Sequence, residues 1–333
     1  MAPTVDSPGL DPRRFCLQTR LVVVAGKGGV GKTTVSAALA RMAARAGLSV
    51  LVVEVDGKSG LAAAFGAEEL EYQERVLDPG DADAGVAEVR ARALTPDIAL
   101  IEYLEDHGLG RVSRKLAKSG VVDVVSTAAP GIKDILILGK VKQLERSDAF
   151  DLIVLDAPAA GHAVSFLMSP RSLLDIVRAG PLRTQAEEVL EMLTDPDRSR
   201  VMLVTLAEET PVNEVVETAF ALEDRVGVDL GPVVVNGLYP VLEGLDADPE
   251  AVAAAAGVTL FAGEADVLRR AADFRGRRQA LQREQLARLA AALPLPQLHL
   301  PSLFTVDLGP GDIDRLATSM AAAIGTLPAP VAT

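Results

Sequence analysis

A short segment near the amino end carries the residue types that bind phosphate groups. Residues 26–34 read GKGGVGKTT and match the pattern G-x-x-x-x-G-K-S/T. Closely spaced glycines let consecutive backbone N–H groups turn toward one anion, and a helix beginning at Lys32 adds its partial positive charge. In this pattern Lys32 reaches the β- and γ-phosphates, and the hydroxyl of Thr33 binds Mg²⁺. The predicted phosphate-binding residues are Gly28, Gly29, Val30, Gly31, Lys32, Thr33 and Thr34.

A second lysine, Lys27, lies inside the same segment. Two ammonium groups beside a triphosphate indicate hydrolysis, because the transferring phosphoryl group mainly needs its charge neutralised. The segment also satisfies the dinucleotide fingerprint G-x-G-x-x-G through Gly26, Gly28 and Gly31. The residues at 32–34 favour a triphosphate, since a dinucleotide helix does not need a lysine aimed at a terminal phosphate.

Two aspartates directly follow apolar, strand-like runs. Asp56 comes after the run 50–55, where a carboxylate could orient the attacking water or bind a metal-ligated water, or could cap the next helix. Its position alone leaves these roles open. Asp156 comes after the run 151–155, where phosphate-loop enzymes usually carry the acid that completes the Mg²⁺ shell. The sequence therefore predicts a Mg²⁺ site at Thr33 and Asp156.

Other polar residues have less specific patterns. Asn236 and Gly237 form a strong turn pair, so a role for Asn236 in reading adenine stays open. His162 is interpreted as structural, because phosphoryl transfer depends on positioning and charge neutralisation. Seven arginines crowd the stretch 269–288, where a solvated helix face is favoured over a partner-binding patch.

The candidate residues require a scaffold that brings several strand ends together. Apolar runs alternate with stretches of helical composition, and this alternation predicts an α/β fold with a doubly wound, mostly parallel sheet. Ligands of such sheets lie beyond the carboxyl ends of the strands. The predicted strands are 20–25, 50–55, 151–155, 201–206 and 232–235.

The long interval between the second and third of these strands is predicted to be helical at 97–105, 111–119 and 132–144. A helical subdomain is therefore expected from residues 92–147 and 163–199, within one domain spanning 19–325. Its last predicted helix carries an apolar series that we interpret as core packing rather than a groove for a hydrophobic client. The series comprises Ile132, Ile135, Leu136, Leu138 and Val141.

Composition limits the classes of partner. The chain has 333 residues and a formal net charge of −13, which disfavours nucleic acid. The lone cysteine, Cys16, excludes internal disulfides and multi-thiolate metal sites and fits a reducing cytoplasm. The sequence shows neither a membrane span nor a signal peptide, so we expect a cytoplasmic protein without direct membrane insertion. Residues 1–18 and 326–333 are expected to be flexible tails.

Taken together, these motifs resemble those of the arsenite-pump and tail-anchored-protein-targeting ATPases, a branch of the MinD-like phosphate-loop proteins. The most specific parts are GKGGVGKTT with its extra lysine and the DAPAAGH segment at 156–162. Weaker similarities lie at 208–212, 233–236 and 300–301, and the likeness covers nearly the whole chain. The segments 54–57 and 129–131 look most like the actinobacterial anion-transporting-ATPase paralogues.

The resemblance implies a phosphate-loop ATPase that uses ATP and Mg²⁺. It implies that Lys27 acts across a dimer interface on the partner's phosphates, and that Asp56 and Asp156 are the acids of the first and second switch segments. It also implies that Asn236 and the Pro301 segment surround adenine. The expected partners are a second copy or a paralogue, together with an unidentified client protein.

Two departures from the family pattern bear on the cargo. Cys16 alone provides neither the Cys-x-x-Cys zinc pair of the targeting members nor the metalloid cysteines of the arsenite pumps. Only about forty residues separate Gly161 from the strand at 201, where the targeting members carry a large helical insertion. Both departures count against tail-anchored proteins and arsenite as cargo.

The function expected from the sequence is Mg²⁺-dependent ATP hydrolysis by a nucleotide-switched dimer that binds and releases a client protein. The alternative is a nucleotide-binding regulatory subunit of a heteromeric complex with a paralogue, with weak ATPase activity.

Overall fold

The computed structural model describes residues 10–55, 60–106, 108, 131–158 and 160–327. Within these ranges the chain forms an eight-stranded sheet with helices on both faces. The strands are β1 (Leu21–Gly26), β2 (Val50–Val55), β3 (Arg75–Asp78), β4 (Val89–Leu94), β5 (Leu152–Asp156), β6 (Ser199–Leu206), β7 (Val233–Leu238) and β8 (Gln297–Pro301).

The strands stand in the order β3-β4-β2-β5-β1-β6-β7-β8. Neighbouring strands are parallel throughout, except that β3 pairs antiparallel with β4 at one edge. The order changes direction at β1, which lies between β5 and β6. Ligand crevices form beyond the carboxyl ends of the strands at such a switch point. The topology confirms the predicted doubly wound sheet and places the GKGGVGKTT segment at the switch point.

All five predicted strands are confirmed, and three further strands were not predicted. β3 is short and half exposed, whereas β4 reads VRARAL and β8 reads QLHLP. The buried arginine of β4, Arg92, lies 4.6 Å from the ring centroid of Tyr72 and 3.6 Å from a carboxylate oxygen of Glu74. These contacts stabilise a cation inside the sheet, where a hydropathy pattern does not indicate a strand.

The helices include confirmed predictions at 97–105 and 132–144, while the helix predicted at 111–119 lies outside the described residues. The described helices are α1 (Pro12–Cys16), α2 (Lys32–Arg45), α3 (Leu61–Ala64), α4 (Pro96–Asp106), α5 (Ile132–Arg146), α6 (Ala160–Ile176), α7 (Pro181–Thr194), α8 (Glu209–Arg225), α9 (Pro249–Ala255), α10 (Glu264–Ala292) and α11 (Pro310–Ile324).

Each face of the sheet has its own apolar core. On one face α2 and α11 pack together, with Leu39 and Met320 fully buried. On the other face α5, α6 and α7 contribute Leu138, Phe166 and Val189, each at most 1% exposed. Burial of the predicted series on α5 confirms its interpretation as core, with Ile132 only partly buried at the margin.

The amino-terminal segment differs from the flexible tail expected over 1–18. Residues 1–9 lie outside the described residues, but α1 packs against α2 and α11 with Phe15 and Cys16 buried. Asp11 caps this helix by accepting a hydrogen bond from the backbone N–H of Arg13. Pro12 occupies the first helical turn, where the missing N–H of proline leaves no hydrogen bond unmade. Its presence therefore does not indicate an unstructured tail.

Two further boundaries differ from expectation. Residues 92–94, expected in the helical subdomain, belong to β4 and pair with β2 in the central sheet. Leu327, expected in the carboxyl-terminal tail, is buried against the core beside α11, and residues 328–333 lie outside the described ones. No helix in the described ranges is long and apolar enough to cross a bilayer.

Candidate nucleotide site

The GKGGVGKTT segment forms the turn between β1 and α2. Its Gly29 and Gly31 have φ values of 83° and 89°, a backbone region that residues with a Cβ rarely adopt. Gly31 is also the N-cap residue of α2, because its carbonyl accepts the N–H of Val35 at 2.9 Å. A Cβ on Gly31 would collide with the side-chain amide of Asn236. Glycine is therefore required there both for the conformation and for the close approach of β7.

Asn236, near the end of β7, holds this turn from the side. Its Nδ2 donates a 3.0 Å hydrogen bond to the carbonyl of Val30, a residue only 3% exposed. The amide oxygen of the same side chain is an acceptor suited to the exocyclic amine of adenine. Pro301 ends the neighbouring strand β8 and pairs in register with Leu238 of β7. The structure thus brings Asn236 and Pro301 to adjacent strand ends on one side of the turn.

Asp156 ends β5 and is bonded to the first turn of α2. Its Oδ2 accepts from Thr33 Oγ1 at 2.7 Å, and its Oδ1 accepts from Ser36 Oγ at 3.1 Å. The pKa of Asp156 is raised, chiefly because the group is buried. The hydrogen bonds from Thr33 and Ser36 and the charge of Lys32 lower the pKa, whereas the charge of Glu54 raises it. A cation placed near this buried carboxylate stabilises its charged form.

Glu54 adds a second buried carboxyl group to this cluster. It is 4% exposed, and the β2–β5 register pairs it with Asp156. Sequence reasoning gave Glu54 no role. An acid inside an otherwise apolar strand is the signal that could have identified it, because an acid is seldom fully buried unless paired.

The two lysines of the turn point to different places. Lys32 Nζ donates to the backbone carbonyl of Lys27 at 3.2 Å, so it stays within the turn. Burial lowers the pKa of Lys32, and the charge of Asp156 opposes that effect. Lys27 extends outward, with 41% of its side chain exposed, and its Nζ lies 3.0 Å from Glu214 Oε1 on α8. Sequence reasoning did not identify Glu214 as the residue that Lys27 contacts.

Two residues named from the sequence cannot be placed. Asp56 lies outside the described residues, directly after the end of β2 at Val55, and the side chain of His162 lies outside them as well. The predicted residues that the structure does bring together are Lys27, Val30, Gly31, Lys32, Thr33, Asp156 and Asn236.

A glycine-rich turn at the switch point of a parallel sheet, with a lysine, a hydroxyl and a buried aspartate at the start of the following helix, defines a phosphate-loop nucleotide hydrolase. Comparison with known proteins gives the family. A family model described as anion-transporting ATPase matches residues 19–184. The chain belongs to this family and is an ATPase.

Named relatives match over a larger part of the chain. ATPase BagA of Mycobacterium tuberculosis is 35% identical over 311 residues, covering 87% of this chain and 89% of BagA. The arsenical pump-driving ATPase of Escherichia coli is 27% identical over 247 residues, covering 66% of this chain and 39% of that protein. ATPase GET3 of Chaetomium globosum is 30% identical over 174 residues, covering 52% of this chain and 48% of GET3.

Proposed function

We propose that this ATPase works as a Mg²⁺-dependent dimer in which Lys27 of each protomer reaches the γ-phosphate bound by its partner. The observation that carries the proposal is the divergence of the two lysines. Lys32 is turned into its own loop, whereas Lys27 is exposed and paired outside it. Because Lys27 is already directed away from the phosphate site of its own protomer, its ammonium group is suited to reach the phosphate site of the partner.

Within one protomer, the loop N–H groups and Lys32 bind the β- and γ-phosphates. Phosphate oxygens favour the charged form of Lys32, whose pKa burial otherwise lowers. Asn236 and the Pro301 segment contact adenine, with the amide oxygen of Asn236 accepting from the base. Asp56 orients the attacking water.

The residues present fit a Mg²⁺ ion. Thr33 offers a hydroxyl oxygen and Asp156 a carboxylate, the kind of oxygen ligands that this cation takes directly or through water. Their 2.7 Å hydrogen bond already brings these groups together, with Glu54 adding negative charge nearby. The ion would supply charge neutralisation on the phosphates. We therefore assign Thr33 and Asp156 to the metal.

Lys27 can leave its present partner at little cost. The Lys27 and Glu214 side chains are 41% and 29% exposed, and such a pair contributes at most about 1 kcal/mol. A γ-phosphate enclosed between two protomers carries more negative charge than Glu214 and is less exposed to water, so it attracts Lys27 more strongly. Lys27 would then stabilise the charge that develops on the transferring phosphoryl group, as a finger residue supplied in trans does.

The nucleotide-dependent dimer would bind and release a client protein. A metalloid is the poorer candidate for cargo, although the E. coli relative is named for an arsenical pump. The one cysteine is buried, and no group of three or more His, Cys, Asp or Glu suited to a metal ion occurs among the described residues.

Lys27→Ala tests the proposal. Turnover should fall by roughly 10³-fold or more, the scale of a finger residue, because the transition-state charge loses its partner. Binding of a fluorescent ATP analogue should stay near the wild-type level, because Lys32 and the loop remain. Arg315→Ala, which removes a cation 66% exposed on α11, is the control and should change neither quantity. Unchanged turnover in Lys27→Ala would refute the trans-lysine mechanism.

A further inference from the structure

Glu54 is an acidic residue inside a strand that is otherwise apolar. β2 reads VLVVEV and is buried along its whole length, with Glu54 only 4% exposed. Acidic side chains are seldom buried to this extent unless nearby groups compensate their charge. Apolar packing therefore does not account for an acid at this position of the strand.

Strand alternation places Glu54 on the face of the sheet that α2 covers. Val52 of β2 and Val154 of β5 belong to the same apolar core as Leu39 of α2. Successive side chains of a strand point to opposite faces, so the residues two positions further along, Glu54 and Asp156, lie on that same face. Because the β2–β5 register pairs these two residues, their carboxyl groups are neighbours on adjacent strands.

The charge of Glu54 acts on the carboxyl group that the proposed metal site uses. The pKa of Asp156 is raised chiefly by burial, and the charge of Glu54 raises it further, whereas the charge of Lys32 lowers it. Phosphate groups held by the loop also attract the ammonium group of Lys32. With nucleotide bound, the two buried carboxylates therefore need a further cation, and a divalent ion matches their combined charge.

Glu54 also borders open space. It lines a cavity of about 400 Å³ together with Gly60, Ala62 and Ala67, whose small size leaves this room, and with the exposed Glu69. A side chain that borders such a cavity does not serve only to fill the core. Mg²⁺ usually keeps several of its water ligands in nucleotide sites, and the cavity has room for water beside the Glu54 carboxylate.

We propose that Glu54 is a further residue of the Mg²⁺ site, a positioning residue whose carboxylate helps to hold the hydrated cation beside Asp156. The inference rests on the proposed Mg²⁺ dependence and adds Glu54 to Thr33 and Asp156. A carboxylate in this role accepts hydrogen bonds from metal-bound water and supplies negative charge. Its removal should weaken the contribution of Mg²⁺ to nucleotide binding and leave the phosphate-binding loop intact.

Nucleotide affinity with and without the cation tests this role. The dissociation constant of a fluorescent, non-hydrolysable ATP analogue is measured in excess Mg²⁺ and in EDTA, and the ratio of the EDTA value to the Mg²⁺ value gives the contribution of the cation. In Glu54→Gln this ratio should fall at least about tenfold, as metal affinity does when a residue that supports the metal ligands is lost. The EDTA value itself should stay the same or decrease, because a negative charge near the phosphates is removed.

Two variants control for effects on the fold. Glu69→Gln removes an exposed carboxylate from the same cavity and should keep the wild-type ratio. Glu54→Asp retains the charge on a shorter side chain, so its ratio should lie between those of Glu54→Gln and the wild type. A purely structural role for Glu54 would instead raise both dissociation constants of Glu54→Gln by the same factor, and that result would overturn the inference.

The outcomes separate this inference from the proposed function. If the wild type binds the analogue much more tightly with Mg²⁺ and Glu54→Gln keeps the wild-type ratio, then Glu54 is not part of the metal site, while the roles of Thr33, Asp156 and Lys27 stand. A wild type that binds the analogue equally well in Mg²⁺ and in EDTA overturns the proposed metal site and this inference together.

Discussion

Helices α2 and α10 belong to one chain but are covered very differently. Nine of the 14 residues of α2 are buried, among them Leu39 and Ser36, whereas four of the 29 residues of α10 are buried. α2 is enclosed by the sheet and α11, and its first turn is bonded to Asp156. α10 is anchored near its carboxyl end, and apolar side chains in its first half, Val267, Leu268 and Phe274, are exposed.

The difference separates two tasks. A phosphate site must be rigid before its ligand arrives, because electrostatic stabilisation depends on groups already in place. A surface that associates in one nucleotide state and separates in another must be stable in water in both. The first turn of α2 meets the first requirement, because Asp156 and the surrounding core hold it in place.

Core truncation should show the largest difference in stability. Leu39→Ala removes a fully buried side chain from α2 and should lower the free energy of unfolding by about 2–5 kcal/mol. Phe274→Ala removes a side chain 64% exposed on α10 and should change it by no more than about 0.5 kcal/mol. Urea unfolding of the nucleotide-free protein measures both. Equal losses in the free energy of unfolding would contradict the difference in burial between the two helices.

Replacing the Asp156 carboxylate should change the free energy of unfolding by less than Leu39→Ala does, and should raise it. Because burial raises its pKa in the folded state, the folded protein holds this proton more tightly than the unfolded chain does, and stability falls as pH rises through that interval. Without nucleotide or Mg²⁺, Asp156→Asn should therefore be more stable than the wild type at neutral pH. The difference should shrink as the pH falls below the raised pKa.

Thermal unfolding of both proteins between about pH 4 and pH 8 measures that difference across the carboxyl range. A difference that stays constant with pH would mean that Asp156 does not titrate differently in the folded protein. Turnover of Asp156→Asn should be lost at every pH, since the metal site loses its carboxylate.

Glu214→Gln should have the smallest effect. It releases Lys27 from a half-exposed ion pair, so the nucleotide-dependent dimer dissociation constant should fall by at most about fivefold. Glu217→Gln, an exposed residue farther along α8, is the matched control and should leave the constant unchanged. Weaker dimerisation in Glu214→Gln would instead assign Glu214 to the interface itself.

The parts of the molecule that the sequence predicted are those with local signals. Apolar runs identified β1, β2, β5, β6 and β7, and glycine spacing identified the phosphate turn. β4 was not predicted, because its buried Arg92 does not fit an apolar strand pattern. Tyr72 stabilises this arginine, and the position of Tyr72 beside it follows only from the fold. The helix α1 was not predicted because it has only five residues and begins with Pro12, which is compatible with a first helical turn but is no signal for one.

The parts that could not be predicted are contacts between distant residues. Asn236 bonds to Val30 across 206 positions, and nothing in the Asn-Gly pair indicates that partner. The pairing of Lys27 with Glu214 is of the same kind. The sequence showed the α10 region as a helical stretch with many arginines, but the exposure of its apolar residues depends on how the chain packs.

Subunit complementation tests the trans-lysine claim most directly. Lys27→Ala keeps a complete binding loop and lacks the donated cation, whereas Lys32→Ala keeps the donated cation and lacks the loop lysine. Each variant alone should be nearly inactive. In an equal mixture, half of the randomly formed dimers are mixed and each has one complete site, so turnover should recover to at most about a quarter of the wild-type rate. A mixture no more active than its components would contradict the account, because Lys27 would then act only within its own protomer.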